Sequence, residues 1–337
     1  MSKAILIALL GLFGVSAISA PGRAGYEALS QATPAARKTV EAQTAGGLIE
    51  KVTRTLKNGE PTYEVDWSKG PVERSCTVAE DGTLLGRLVF LNEVPAPVRT
   101  RIQSQVGKAR LGDIFWTDEA GEIAYEVETK RNGKSQFFNV ASNGNLISVQ
   151  VNLAETPEPV RKTIQARMGG GTSGDIYRAI EEEEVVYFVD MAKNGKGHSF
   201  TVSTNGEILS TSLDLTETPI TVQKAIKQQI GTGRLGEIEQ TEKGKEVTYE
   251  VKGFWNGHRR SLSVAPNGQI NSVQVALDET PAAVQKKIQE RAGFGTILRI
   301  DRTTQGDNVD YDVEVKTDGK RVDFTVGADG KVYETKQ

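Results

Sequence analysis

Residues 279–289 read ETPAAVQKKIQ, and the same pattern stands 62 residues earlier at 217–227 (ETPITVQKAIK) and again at 155–165 (ETPEPVRKTIQ). Proline at a first helical position arrives with φ already suited to a helix, and the threonine before it is a residue type that caps one. Val160 and Ile164, Val222 and Ile226, and Val284 and Ile288 are each four apart, which gives a short helix one apolar stripe. Gly169, Gly231 and Gly293 then stop it.

Outward from that stretch the offset of 62 governs the chain. Tyr63, Tyr125, Tyr187, Tyr249 and Tyr311 keep it, as do Gly82, Gly144, Gly206, Gly268 and Gly330, and self-similarity at a fixed period is the signature of a repeat architecture. Downstream of each helix the apolar period changes to two, as in Asp310-Tyr311-Asp312-Val313-Glu314, which is the pattern of a half-buried strand. Asn132-Gly133, Asn194-Gly195, Asn256-Gly257 and Asp318-Gly319 are two-residue hairpin signals, and Asn143-Gly144, Asn205-Gly206 and Asn267-Gly268 supply a second turn per unit. The spacing therefore predicts an α+β fold of five tandem αββββ repeats of 62 residues, each a four-stranded antiparallel sheet covered by one helix. The units fall at 26–90, 91–152, 153–214, 215–276 and 277–337. No Gly/Ser linker separates them, so a semi-rigid array with nearest-neighbour contacts is expected.

Composition narrows the role. Asp and Glu outnumber Lys and Arg by 44 to 41, a balance without the net positive field that nucleic acid or anionic lipid attracts. One Cys and two His in 337 residues exclude a disulfide framework and a zinc site of clustered thiolates and imidazoles. Residues 1–20 carry Lys3, an apolar run from Ala4 to Val15 and a small-residue exit, the pattern of a signal peptide. Cleavage after Ala20, Ala17 or Ala24 would leave a mature chain in the periplasm or outside the cell, with no later segment apolar enough to span a membrane.

Segments such as ETPAAVQKKIQ, followed by a glycine, an Ile-rich strand, Tyr-Asp-Val-Glu-Val at 311–315, Lys-Thr-Asp-Gly-Lys at 316–320 and Ala-Asp-Gly-Lys-Val at 328–332, resemble PepSY-like domains of the β-lactamase-inhibitor-like group. The resemblance covers all five units. It implies a small αββββ module, exported and non-catalytic, that binds or inhibits another protein, and it brings no catalytic residue, cofactor or metal ligand with it.

Residue by residue, Cys76 stands in register with Phe138, Phe200, Leu262 and Phe324, which makes it a core position rather than a nucleophile. His198 and His258 are 60 apart and do not converge by the repeat, so they read as surface polar groups. Glu64, Glu126, Glu250 and Asp312 recur beside the tyrosine and read as solvated residues of the outer sheet face, and the acidic run Glu181 to Glu184 reads as a charged turn with cation binding as an accessory property. Gly169-Gly170-Gly171 follows a helix instead of preceding one, the wrong order for a phosphate loop. Partner choice should lie where the units differ. Alternation sets Phe115, Phe137 and Tyr177 on the outer sheet face, and the fourth unit carries Phe254, Trp255, His258, Arg259 and Arg260 around a hairpin, aromatic and arginine types that anchor protein interfaces. The expected partner is another exported or envelope protein, a peptidase being one class, docked on that face or added as a strand at a sheet edge. The competing expectation is an envelope spacer without a discrete partner.

Overall fold

The computed structural model describes residues 29–334 apart from 58–59, 120–121, 132, 169–172, 182–183, 194–195, 245, 307 and 318–319, so the signal-peptide stretch 1–20 and Gly169-Gly170-Gly171 lie outside the described residues. The chain divides into two compact units, residues 1–57 with 61–208 and residues 58–60 with 209–337.

In the first unit α1 (Pro34–Thr44) precedes β1 (Leu48–Lys57), β2 (Glu60–Lys69), β3 (Val72–Ala79) and β4 (Leu84–Val89). Then α2 (Ala96–Val106) precedes β5 (Arg110–Glu119), β6 (Glu122–Arg131), β7 (Lys134–Ala141) and β8 (Leu146–Val151), and α3 (Glu158–Met168) precedes β9 (Ser173–Glu181), β10 (Glu184–Lys193) and β11 (Lys196–Ser203). Each of these strands pairs antiparallel with the next. The helices cover one face. Val98 and Ile102 of α2 meet Ile114, Tyr125, Val127, Phe138 and Val140, while Val160 and Ile164 of α3 meet Ile176, Tyr187, Val189, Phe200 and Val202. Cys76 is buried in the α1 core beside Val65 and Val78, and burial pushes its thiol up to about 12, so it is an inert apolar group.

The second unit holds β12 (Ile208–Leu213), α4 (Ile220–Ile230), β13 (Arg234–Lys243), β14 (Glu246–Trp255), β15 (His258–Val264), β16 (Ile270–Gln274), α5 (Ala282–Ala292), β17 (Thr296–Gln305), β18 (Asn308–Thr317), β19 (Lys320–Gly327) and β20 (Val332–Glu334). These strands also form an antiparallel meander. Asn256 and Gly257, at φ 51° and 77°, make the two-residue turn between β14 and β15 whose twist suits a hairpin.

Two expectations change. The strands do not close into separate four-stranded sheets: β4 continues into β5, β8 into β9, β12 into β13 and β16 into β17, because unpaired amide edges of neighbouring strands satisfy one another. Strand addition by a partner at those internal edges is thereby closed off. The threonines of the ETP motif also act differently, because Thr156, Thr218 and Thr280 donate their hydroxyls back to the carbonyls of Leu153, Leu215 and Leu277 (2.7–2.8 Å). The preceding Glu side chains accept the strand-end amides of Asn152, Asp214 and Ala276; of these threonines and Thr33, among the described residues only Thr33 accepts a helix amide, from Ala36.

Candidate functional site

In β6 and β7 the core-facing residues are Tyr125, Val127, Phe138 and Val140, so Glu126, Phe137 and Asn139 project from the opposite, helix-free face. The same alternation puts Phe115, Tyr177 and Phe188 there, since Ile114, Ile176, Tyr187 and Val189 belong to the cores. Register assembles them. Phe115 pairs with Glu126, Glu126 with Asn139, and Asn139 with Ser148; beside that row Gln150 pairs with Tyr177 and Tyr177 with Phe188. Gln150 ties the rows together by accepting the Phe137 amide (2.9 Å) and donating to Asp175 Oδ1 (2.7 Å). Gly174 lets β9 bulge against Asp190, whose Cβ would stand 2.9 Å from a Cβ placed on the glycine. A cleft of about 470 Å³ lined by Lys134, Gln136, Gln150, Asn152 and Asp175 adjoins the patch.

The electrostatics of this face are unusual. Burial, with Asp175 adding to it, pushes Glu126 up to about 7 and Asp190 up to about 6. Burial first, then the carboxylates of Glu126, Asp175 and Asp190, raises the Tyr177 phenol as well. Neither Glu126 nor Asp190 has a cation or hydrogen-bond partner among the described residues. Asn139 is 2% exposed; its amide donates to Ser148 Oγ (2.9 Å), yet its Oδ1 accepts nothing among the described residues. Desolvated acids and an orphan oxygen beside aromatic rings are arranged to accept a cation.

Of the sequence candidates, Phe115, Phe137 and Tyr177 come together on this face. Phe115 and Phe137 are half-buried, but Tyr177 is 5% exposed and is therefore not the projecting anchor expected of it. Glu126 is desolvated rather than solvated. Sequence reasoning passed over Asn139, Asp175 and Asp190, and their only signal was a polar residue at a position whose neighbours on both sides are apolar.

The fourth-unit candidates divide between core and surface. Trp255 is 2% exposed and belongs to the α4 core with Ile230 and Val251, which overturns its assignment as an interface anchor. It turns inward because Gly253 leaves that space open: a Cβ there would lie 3.2 Å from the Trp255 ring. Arg260 is likewise buried, held by Glu279 Oε2 (2.5 Å) and the Gln274 carbonyl (3.2 Å). Phe254 is half-buried, with the Arg234 guanidinium 5.0 Å over its ring, and Arg259 is half-buried opposite Phe254. His258 is exposed. The acidic-turn assignment rests partly on Glu182 and Glu183, outside the described residues.

No family model matches the chain, and no curated protein does either. Among solved structures, a DUF2874 family protein from Bacteroides uniformis is similar at 15% identity over 37% of this chain and 92% of its own (TM-score 0.28). A Bacteroides thetaiotaomicron protein whose name proposes a calcium-regulated periplasmic role shares 18% identity over 37% of this chain and 94% of its own (TM-score 0.27). A BLIP-like protein from Bacteroides fragilis shares 14% over 34% and 83% (TM-score 0.26). Scores this low leave fold and role to be argued from the chain itself. Among the described residues no helix is long and apolar enough to cross a membrane.

Proposed function

We propose that the chain is an exported, non-catalytic recognition protein built from five PepSY-like modules, and that the helix-free face of its first unit receives a Lys or Arg side chain of an exported or envelope protein. The N-terminal pattern at 1–20 supports export. The observation that carries the recognition reading is that Glu126 and Asp190, desolvated and without a cation among the described residues, both act on Tyr177, with the half-buried rings of Phe115 and Phe137 beside Glu126. An incoming cation would take a place that none of the described residues fills, and the rings would flank its alkyl stem or guanidinium plane. A peptidase offering such a side chain is one partner class, and inhibition would follow where that side chain borders its active site.

Calorimetric titration with Lys-centred and Arg-centred peptides, against neutral and acidic controls, tests this. Binding should be selective for the cationic peptides at pH 8 and should weaken as pH falls through 7 to 5, because the carboxylates that receive the cation become protonated. Glu126→Gln with Asp190→Asn should weaken it by about tenfold or more. Selective binding untouched by that double substitution, or no binding at pH 8 by folded protein, would remove the reading.

A further inference from the structure

We propose that copies of this chain join head to tail, β20 of one copy adding to β1 of the next. The inference stands apart from the recognition reading and concerns other residues. Four junctions within the chain join a fourth strand to a first strand antiparallel in one register: Gly86 faces Thr117, Ser148 faces Ala179, Ser210 faces Thr241 and Ser272 faces Thr303. Among the described residues one first strand and one fourth strand lack such a neighbour, since β1 pairs only with β2 and β20 only with β19. The two open edges are therefore of the complementary kinds that the chain already joins four times.

Carrying the common register one step further sets Glu334 against Thr55 and Tyr333 against Leu56 of the next copy. Tyr333 is 50% exposed and Leu56 62% exposed, so the join would cover two apolar side chains that the single chain leaves to solvent. The residue pairs at that same place inside the chain are Leu85 with Asp118, Ile147 with Ile180, Leu209 with Glu242 and Asn271 with Thr304, so the chain already sets two apolar residues together there once. Val322 and Val332, at the same end of the sheet, are exposed as well. The amides that would pair can be identified. Val275 N–H donates to the Ile300 carbonyl at the β16–β17 junction, so on β1 the edge-facing amides are those of Val52, Arg54 and Leu56, and on β20 that of Tyr333. A join between unlike edges does not close on itself, so it propagates.

Sedimentation velocity on the mature chain over a concentration series, with circular dichroism confirming the fold of each variant, tests the proposal. Wild type should grow in mass with concentration beyond a dimer. Arg54→Pro removes an edge-facing amide on β1 and Tyr333→Pro one on β20, each on a side that makes no bond within the chain. Each variant alone should stay monomeric, because each keeps only one competent edge, and an equimolar mixture should form a dimer and stop there. Monomer at every wild-type concentration would overturn the proposal. So would self-association that persists in either proline variant, which would mean pairing of like edges or contact elsewhere.

Discussion

Trp255 shows how a repeat conceals a single residue. At the inward position of the second strand the 62-residue period carries Trp67, Thr129, Met191, Gly253 and Val315, and where the glycine removes the side chain the tryptophan two residues on supplies it. Trp255→Ala should therefore empty a core and cost about 3–5 kcal/mol, whereas Phe254→Ala, on the half-buried side, should cost well under half of that. Trp255→Phe should fall between, since Trp255 Nε1 has no acceptor among the described residues to lose. Guanidinium unfolding midpoints at constant slope would measure all three. The signal was legible in Val251-Lys252-Gly253, an apolar alternation that lapses at its third member, but a hairpin with Phe, Trp and Arg side by side reads more readily as an interface. Tyr177 was misjudged for a related reason. Alternation says which face a side chain takes, not what else lies over that face.

At the scale of elements, the arginine taken for an anchor is a brace. Arg260 on β15 reaches Glu279, which also accepts the Ala276 amide, and Arg74 on β3 reaches Glu93 in the same way 186 residues earlier. Each pair ties a third strand to the turn that leads into the next helix. The Arg260 side chain is far more enclosed than that of Arg74, so Arg260→Ala should cost about 1–3 kcal/mol and Arg74→Ala about 0.2–1. The Arg260 hydrogen bond, foremost among the causes, holds Glu279 below the ordinary carboxylate range. The brace is therefore present above that range and lost as pH falls through the lowered value, so wild type and Arg260→Ala should converge in acid in a thermal unfolding series. Helices and hairpins were legible because proline, glycine and period mark them locally. The pairing of β4 with β5 was not, because an edge strand bound to its neighbour and one bound to water carry the same alternation.

For the whole molecule, Glu126 and Asp190 set a dependence of opposite sense. Unfolded, their carboxyls titrate near 4.5 and 3.8; folded, near 7 and 6. Between those values the folded chain keeps protons that the unfolded chain releases, so their contribution is full below the unfolded values and disappears as pH rises through 6 and 7. Glu126→Gln with Asp190→Asn should thus raise the thermal midpoint more at pH 8 than at pH 5, with up to about 3 kcal/mol at stake for Glu126. Equal gains at both pH values would mean that the two carboxyls are not desolvated in the folded chain.

The shared register of the junctions has a genetic consequence. Excision of residues 91–152 would set Val89 against Ile176 in place of Ile114 and bring Glu155 to Arg74 in place of Glu93, leaving the chemistry of the join intact. Unequal recombination between copies of the 62-codon segment would therefore shorten or lengthen the gene in whole segments without breaking the strand pairing of the product. The number of segments is then free to drift wherever the segment gained or lost carries none of the recognition face.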